Sequence, residues 1–226
     1  MADFEQQRLS MVESQLRPNE VTDRRLLAAM RALPREHFVP SPLRDLAYID
    51  EGLEVFPAID GAPARYLLAP MVLARLVQLA SVEPQDSVLD IGCATGYSTA
   101  VLAGLGRQVI GQEPEPELAE AARRALRELH IANAEIVTGP LAKGHPAGAP
   151  YDVILLNGSV PEVPETLLAQ LAEGGRLAAI VKGANNPSQG KACLFVKIGG
   201  EASGVPHFDA GAKMLPGFAP EPVFTF

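Results

Sequence analysis

Between residues 88 and 113 the chain carries groups suited to holding a nucleoside. Val88-Leu-Asp-Ile-Gly-Cys-Ala-Thr-Gly-Tyr-Ser-Thr-Ala100 runs from an apolar strand into small residues at 92, 94 and 96, then into a helix. Gly92 and Gly96 permit a tight turn and a close backbone approach to a ligand, which the amides of the following helix would face. Glu113 follows Gly92 by 21 residues, at the end of the next strand. A carboxylate there accepts hydrogen bonds from ribose hydroxyls. Loop and carboxylate share one βαβ unit, a stronger signal than an isolated glycine motif. The spacing is not that of a dinucleotide loop, because counting from Gly92 the second site is Ala94 and the third is the bulky Tyr97. Asp90 would repel a pyrophosphate but tolerates a cationic methylsulfonium nucleoside. The expected cofactor is therefore S-adenosylmethionine, leaving as S-adenosylhomocysteine, held by Asp90, Gly92, Cys93, Ala94, Gly96 and Glu113. Cys93 is expected as a small residue beside the donor, not as a reactive thiol.

The elements that position these residues follow from apolar spacing. Short apolar runs at Ser87–Ile91, Gln108–Gly111, Ala134–Val137, Tyr151–Leu156 and Arg176–Val181 alternate with helical patterns at 98–105, 118–129 and 164–172. Such alternation predicts a parallel sheet covered on both faces. Upstream, Leu9, Val12 and Leu16, then Leu26, Leu27, Met30 and Leu33, predict two amphipathic helices. Thr22 or Asp23 is the expected N-cap of the second, and Pro34 its end. Prolines and glycines between 40 and 70 predict irregular chain, followed by a helix from Pro70 to Ala80. Cys193–Ile198 and Pro222–Phe226 are expected to close the sheet as an antiparallel pair, with Phe224 and Phe226 in the core and 185–190 as a solvent loop. The expected organisation is an N-terminal helical and irregular extension over 1–80, packed on a domain over 81–226.

Composition removes several classes of function. The 226 residues are 47% hydrophobic and 20% charged, which excludes a largely disordered chain. Net charge is 19 − 27 = −8, a poor basis for neutralising phosphates, so nucleic acid is not an expected partner. No run of 18 apolar residues occurs, so no membrane span is expected. Met1–Gln6 has no basic region followed by an apolar run, so no secretory signal is expected. Two cysteines make no disulfide framework, and a cytoplasmic location is the expectation. His37, His130, His145 and His207 lack metal-ligand spacing, so no metal is expected.

Several blocks of the sequence resemble the protein-L-isoaspartate O-methyltransferases. They are Met11–Leu16, Asp23–Met30, Pro34–Pro40, Ala47–Asp50, Val88–Ala103, Gly111–Glu113, Ala149–Ile154 and Gln170–Leu177, in the family's order and over roughly residues 8–183. The resemblance implies an α/β, Rossmann-like, seven-stranded S-adenosylmethionine-dependent methyltransferase fold. It also implies methylation of isoaspartyl carboxylates in damaged protein or peptide, a repair function. Three departures stand out. Where the family has a Gln-Thr-Ile-Ser-Gln-Pro type motif, this chain has Arg65-Tyr-Leu-Leu-Ala-Pro70, with Leu68 in place of the serine. About six extra residues precede this motif, counted against the family pattern. A Gly-Asp-Gly pattern becomes Gly139-Pro140-Leu141, so Pro140 replaces the Asp expected to bind the adenine amine, and the resemblance implies Pro140 and Leu141 as the cofactor-binding residues at this place. Pro140 offers neither a side-chain acceptor nor an N–H.

Methyl transfer to a carboxylate needs no general base, since a carboxyl of pKa about 4 is already ionised at pH 7. It needs alignment and exclusion of water. With the serine gone, Arg65 and Tyr66 are the expected catalytic residues, a guanidinium for the acceptor carboxylate and a neighbouring hydroxyl. Asn157-Gly158-Ser159 lies at the strand edge where an acceptor would bind, although it also reads as plain loop. Lys182 is expected to be solvated or paired. Two alternatives stay open: a divergent methyltransferase with another, small acceptor, and a non-catalytic binding or scaffold protein. An enzyme should turn Arg65 or Tyr66 towards the donor methyl, whereas a scaffold should fill the crevice with its own side chains, such as Phe56 or Leu68.

Overall fold

The computed structural model describes residues 3–59, 63–182 and 190–218. Helix α1 (Phe4–Ser10) continues through a single wider turn of π-helix at Met11–Leu16 that buries Met11, Val12 and Leu16. Helix α2 (Arg24–Ala32) is capped by the Asp23 carboxylate, which accepts from the amides of Arg25 and Leu26, satisfying two of the helix's free donors. The stretch expected to be irregular contains a two-stranded antiparallel ribbon, β1 (Leu53–Phe56) and β2 (Arg65–Leu67). Its alternating burial over so few residues was masked by the flanking prolines. Helix α3 spans Pro70–Ala80, as its sequence predicts.

A seven-stranded sheet follows in the order β5-β4-β3-β6-β7-β8-β9. Its strands are β3 (Ser87–Ile91), β4 (Gln108–Gln112), β5 (Ala134–Val137), β6 (Tyr151–Val160), β7 (Leu171–Val181), β8 (Gly190–Ile198) and β9 (Glu201–Ala210). The first five are parallel, and β8 and β9 run antiparallel as a hairpin beside β7. Helices α4 (Tyr97–Ala103), α5 (Pro116–Glu128) and the short α6 (Glu165–Leu168) connect the parallel strands. The expected partner of Cys193–Ile198 was Pro222–Phe226; the strand that pairs with it is Glu201–Ala210, because the turn at Gly199 and Gly200, both at positive φ, folds the chain straight back. Residues 222–226 lie outside the described residues, as do 185–189 of the expected loop.

Successive strand residues go to opposite cores. Val88, Val153 and Leu155 join α3, α4, α5 and the N-terminal Met11, Leu26 and Phe38 in one cluster. Leu89, Ile91, Ile154 and Leu156 join Leu141, Leu167, Leu215 and Phe218 in the other. That period of two with both faces covered is why these strands read as continuous apolar runs. Connections leave β3 and β6 towards opposite sides of the sheet, opening the switch point where ligands of such sheets bind, at the carboxyl ends of the strands.

Candidate active site

At the carboxyl end of β3 the chain turns through Gly92 (φ 76°), Ala94 (φ 50°) and Gly96 (φ 92°) into α4. The amides of Gly92 and Cys93 both donate to the Gln112 carbonyl at the end of β4, at 2.8 and 3.2 Å, which locks the loop to the neighbouring strand. Gly96 has no room for a side chain, because a Cβ there would stand 2.9 Å from the Ala122 Cβ on α5.

Asp90 is fully buried. Its carboxylate accepts from Ser98 Oγ (2.7 Å), Thr99 Oγ1 (2.6 Å) and the Asn157 amide. Desolvation outweighs these bonds and raises its pKa to about 6. Asn157, which also reads as loop in the sequence, is therefore a partner of Asp90. The two hydroxyls were legible as residue types but not as partners, since only the first turn of α4 brings them back under β3.

Glu113 sits just past β4, where the sequence puts it, and is completely buried. Its Oε2 accepts from the Ala94 amide at 2.8 Å, and its Oε1 from the Glu115 amide at 3.3 Å and from the Arg65 guanidinium of β2. Arg65 Nη2 donates on to the Gly92 carbonyl at 3.3 Å. Burial raises the Glu113 pKa, with Arg65 opposing the shift. Arg65 was expected to face an acceptor carboxylate; it instead satisfies the carboxylate expected to hold ribose.

Two more groups cover the loop. Leu215 belongs to a segment tied to the end of β6, with Ser159 N donating to Lys213 O and Leu215 N to Ser159 O, each at 2.9 Å. Its Cδ2 lies 2.7 Å from where a Cβ on Gly92 would be, and its Cγ 2.7 Å from that of Gly158. Leu141 is buried against the same place, its Cδ1 3.5 Å from the Gly92 Cβ position. Pro140 is exposed, and its carbonyl accepts from Gln112 Nε2 at 3.0 Å. Nothing in the sequence pattern around 215 marks Leu215, because it lies in neither helix nor strand.

Tyr66 does not point its hydroxyl into this crevice. It donates to Glu54 across the β1–β2 ribbon at 2.7 Å, and that bond to a carboxylate raises its pKa. Arg35 is buried with its guanidinium 4.6 Å from the centre of the Tyr97 ring, donating to the carbonyls of Ala47 and Leu68. Burial lowers the Arg35 pKa. Tyr97 packs edge-on against Phe38, their centroids 5.4 Å apart, and its buried hydroxyl has no hydrogen-bond partner among the described residues. Cys93 is buried, its thiol pushed well above its usual pKa by desolvation. Lys182 Nζ donates to the Ala212 carbonyl at 2.6 Å. Among the described residues no cluster of metal-ligating side chains occurs, and no helix is long and apolar enough to cross a membrane.

This loop, the acidic residue after the second parallel strand and the strand order coincide with a known family. The family model described as protein-L-isoaspartate(D-aspartate) O-methyltransferase matches residues 6–202. The chain belongs to this family. Protein-L-isoaspartate O-methyltransferases from Methanoculleus marisnigri and Rhodopseudomonas palustris are 37% and 40% identical to it over 175 and 179 residues. These matches cover 77% and 79% of this chain and the same shares of theirs. A solved protein-L-isoaspartate O-methyltransferase matches 94% of the chain with a TM-score of 0.79 at 28% identity, the match spanning 66% of that structure. A Plasmodium falciparum structure titled as a putative member in complex with S-adenosyl-L-homocysteine matches 95% of the chain and 99% of its own length, with a TM-score of 0.75 at 20% identity. The family is one of S-adenosylmethionine-dependent methyltransferases, and the Rossmann-like sheet is its fold.

The residue types around the loop fit that cofactor, while Arg65, Leu141 and Leu215 of the chain itself pack against the loop and Glu113. Gly92, Ala94 and Glu113 stand where the sequence reading expects the loop and the ribose carboxylate; the cavity beside the loop, among Tyr66, Leu68, Gly92, Cys93, Ser98 and Asn157, measures about 10 Å³ and does not reach Asp90 or Glu113. Small-molecule sites measure about 300–1,000 Å³. The larger cavity near the loop, about 390 Å³, lies among His37, Phe56, Thr95, Glu117 and Arg124 and is not lined by Asp90, Gly92 or Glu113. In this conformation Glu113 is shielded from solvent and partnered by Arg65, and Leu215 packs on Gly92, so among the described residues neither faces open space.

Proposed function

We propose that this protein methylates carboxylates on protein or peptide substrates from S-adenosylmethionine, with isoaspartyl sites as the acceptor class. The observation that carries the reading is the placement of Glu113 beside the Gly92–Gly96 loop at the switch point of the sheet, its Oε2 fixed by the Ala94 amide. Membership in the family supports the acceptor class. The chain holds no hydroxyl at position 68, so acceptor alignment falls to other groups of the 51–69 segment. Transfer requires a form of the protein in which the crevice is wider than in this conformation.

The test is transfer of labelled methyl to an isoaspartyl peptide and to its aspartyl twin. Label on the isoaspartyl peptide alone is the expected result; equal labelling, or none, overturns the acceptor assignment. One second reading has a specific observation in its favour. Arg65, Leu141 and Leu215 fill the crevice, as a family member that kept the fold without the reaction would arrange. That reading calls for no S-adenosylhomocysteine binding under any condition.

A further inference from the structure

The Glu113 carboxylate has a complete set of partners, and one of them is a cation from a distant part of the chain. Arg65 reaches it from β2, 48 residues earlier, and both side chains are almost wholly removed from water. A buried carboxylate requires a partner, and a ribose diol would donate its hydroxyl hydrogens to the same oxygens. Guanidinium and ribose are therefore rival ligands for one acceptor. The space beside it is also taken. Leu215 is seated against Gly92 and Gly158, two positions whose missing side chains leave room for it, and Leu141 packs against the same Gly92 position. The seal belongs to the core, because Leu215 and Leu141 pack in one cluster with Ile91, Leu156 and Phe218.

We infer that Arg65 is an internal ligand that occupies the ribose carboxylate, and that Arg65 and Leu215 together set the donor affinity of this protein by holding the crevice shut. The inference rests on the methyltransferase reading and adds to it the residues that oppose donor binding. A donor that enters must withdraw Arg65 from Glu113 and lift Leu215 from Gly92, so its affinity is reduced by the population of the open form. Removing either seal should raise affinity, whereas deleting a contact to a ligand lowers it.

The experiment is calorimetric titration of S-adenosylhomocysteine into the full chain, wild type against Arg65→Ala, Leu215→Ala and the double variant, with a thermal melt of each to confirm folding. Expected is weak binding by the wild type, at least tenfold tighter binding by each single variant, and the tightest by the double variant. Leu215→Ala alters no charge, so it still decides the matter if Arg65→Ala does not fold. Weaker binding by Arg65→Ala together with unchanged binding by Leu215→Ala would make Arg65 a donor contact; that overturns the seal and leaves the proposed function standing. Absence of binding by the folded double variant at millimolar ligand overturns both, in favour of a member without donor chemistry.

Discussion

The Arg65 guanidinium and the Glu113 carboxylate form a buried ion pair that ties the β1–β2 ribbon to the end of β4, with side chains 5% and 0% exposed. Such a pair adds little over an apolar replacement, but removing one partner strands the other and costs about 3–5 kcal/mol. Arg65→Met should destabilise by about that amount at pH 8, measured by urea denaturation. The deficit has a definite pH sign. Burial already raises the Glu113 pKa, and Arg65 is what opposes the rise. Without it the folded pKa climbs further, and a raised carboxyl pKa makes folding less favourable as pH increases. The deficit should therefore shrink at pH 5, and Arg65→Met/Glu113→Gln should recover much of it. A loss equal at both values, or below about 1 kcal/mol, would mean that water reaches the pair.

The loop and Glu113 were legible in the sequence because both requirements are local. Strand β3 ends in residues small enough to turn, and an acidic residue follows the next strand at a fixed distance. Strands β3 and β5 and helix α3 match their expected bounds for the same reason. The occupant of the site was not legible. Arg65 was read as an acceptor contact from its place in a family motif, and its charge alone does not say which carboxylate it meets. Leu215 escaped altogether, since a leucine outside any periodic pattern shows nothing of the two glycines it fills. The β8 pairing was assigned to Pro222–Phe226 because alternating apolar residues look like a strand, whereas β9 (Glu201–Ala210) is mostly exposed and carries little of that signal.

Asp90 makes acid stability informative. Its pKa is raised to about 6, so between that value and the unfolded value of about 3.9 the folded chain binds more protons than the unfolded one. Stability from this group is therefore lost as pH rises from 4 to 6. Two pKa units correspond to about 3 kcal/mol. Comparing Asp90→Asn with wild type by denaturant titration at pH 4, 5, 6 and 7 should show the stability difference moving in favour of the variant by up to that amount as pH rises. A flat difference would mean that Ser98, Thr99 and Asn157 offset the burial completely.

The two thiols should be inert in the native protein. Cys93 is 1% exposed and its thiol is pushed well above the usual range, and Cys193 is buried beside β7 with a raised pKa. Since the thiolate is the reactive species, a disulfide reagent at pH 8 should modify almost no thiol in the folded chain and both thiols in urea. Rapid modification of Cys93 without denaturant would show that the loop opens spontaneously to solvent.

Gly158 and Leu215 give a direct test of the packing that closes the crevice. A Cβ at 158 would lie 2.7 Å from Leu215 Cγ and 2.9 Å from the Lys213 carbonyl oxygen. Gly158 lies in β6 where the register with β7 shifts between Leu155 and Ser159, but its φ is outside the left-handed region, so Gly158→Ala adds crowding without left-handed strain. Overpacking of this kind costs about 1–3 kcal/mol, and the lost glycine flexibility offsets less than about 1 kcal/mol of it. Leu215→Ala alone should cost about 2–5 kcal/mol, as buried leucines do. In the double variant the leucine part of the clash is gone while the Lys213 part remains. The two changes should therefore couple by at least about 0.5 kcal/mol in a double-mutant cycle, the threshold expected for residues in contact. Strict additivity would place Leu215 away from Gly158 and remove the apolar half of the seal, leaving Arg65 alone to hold the crevice closed.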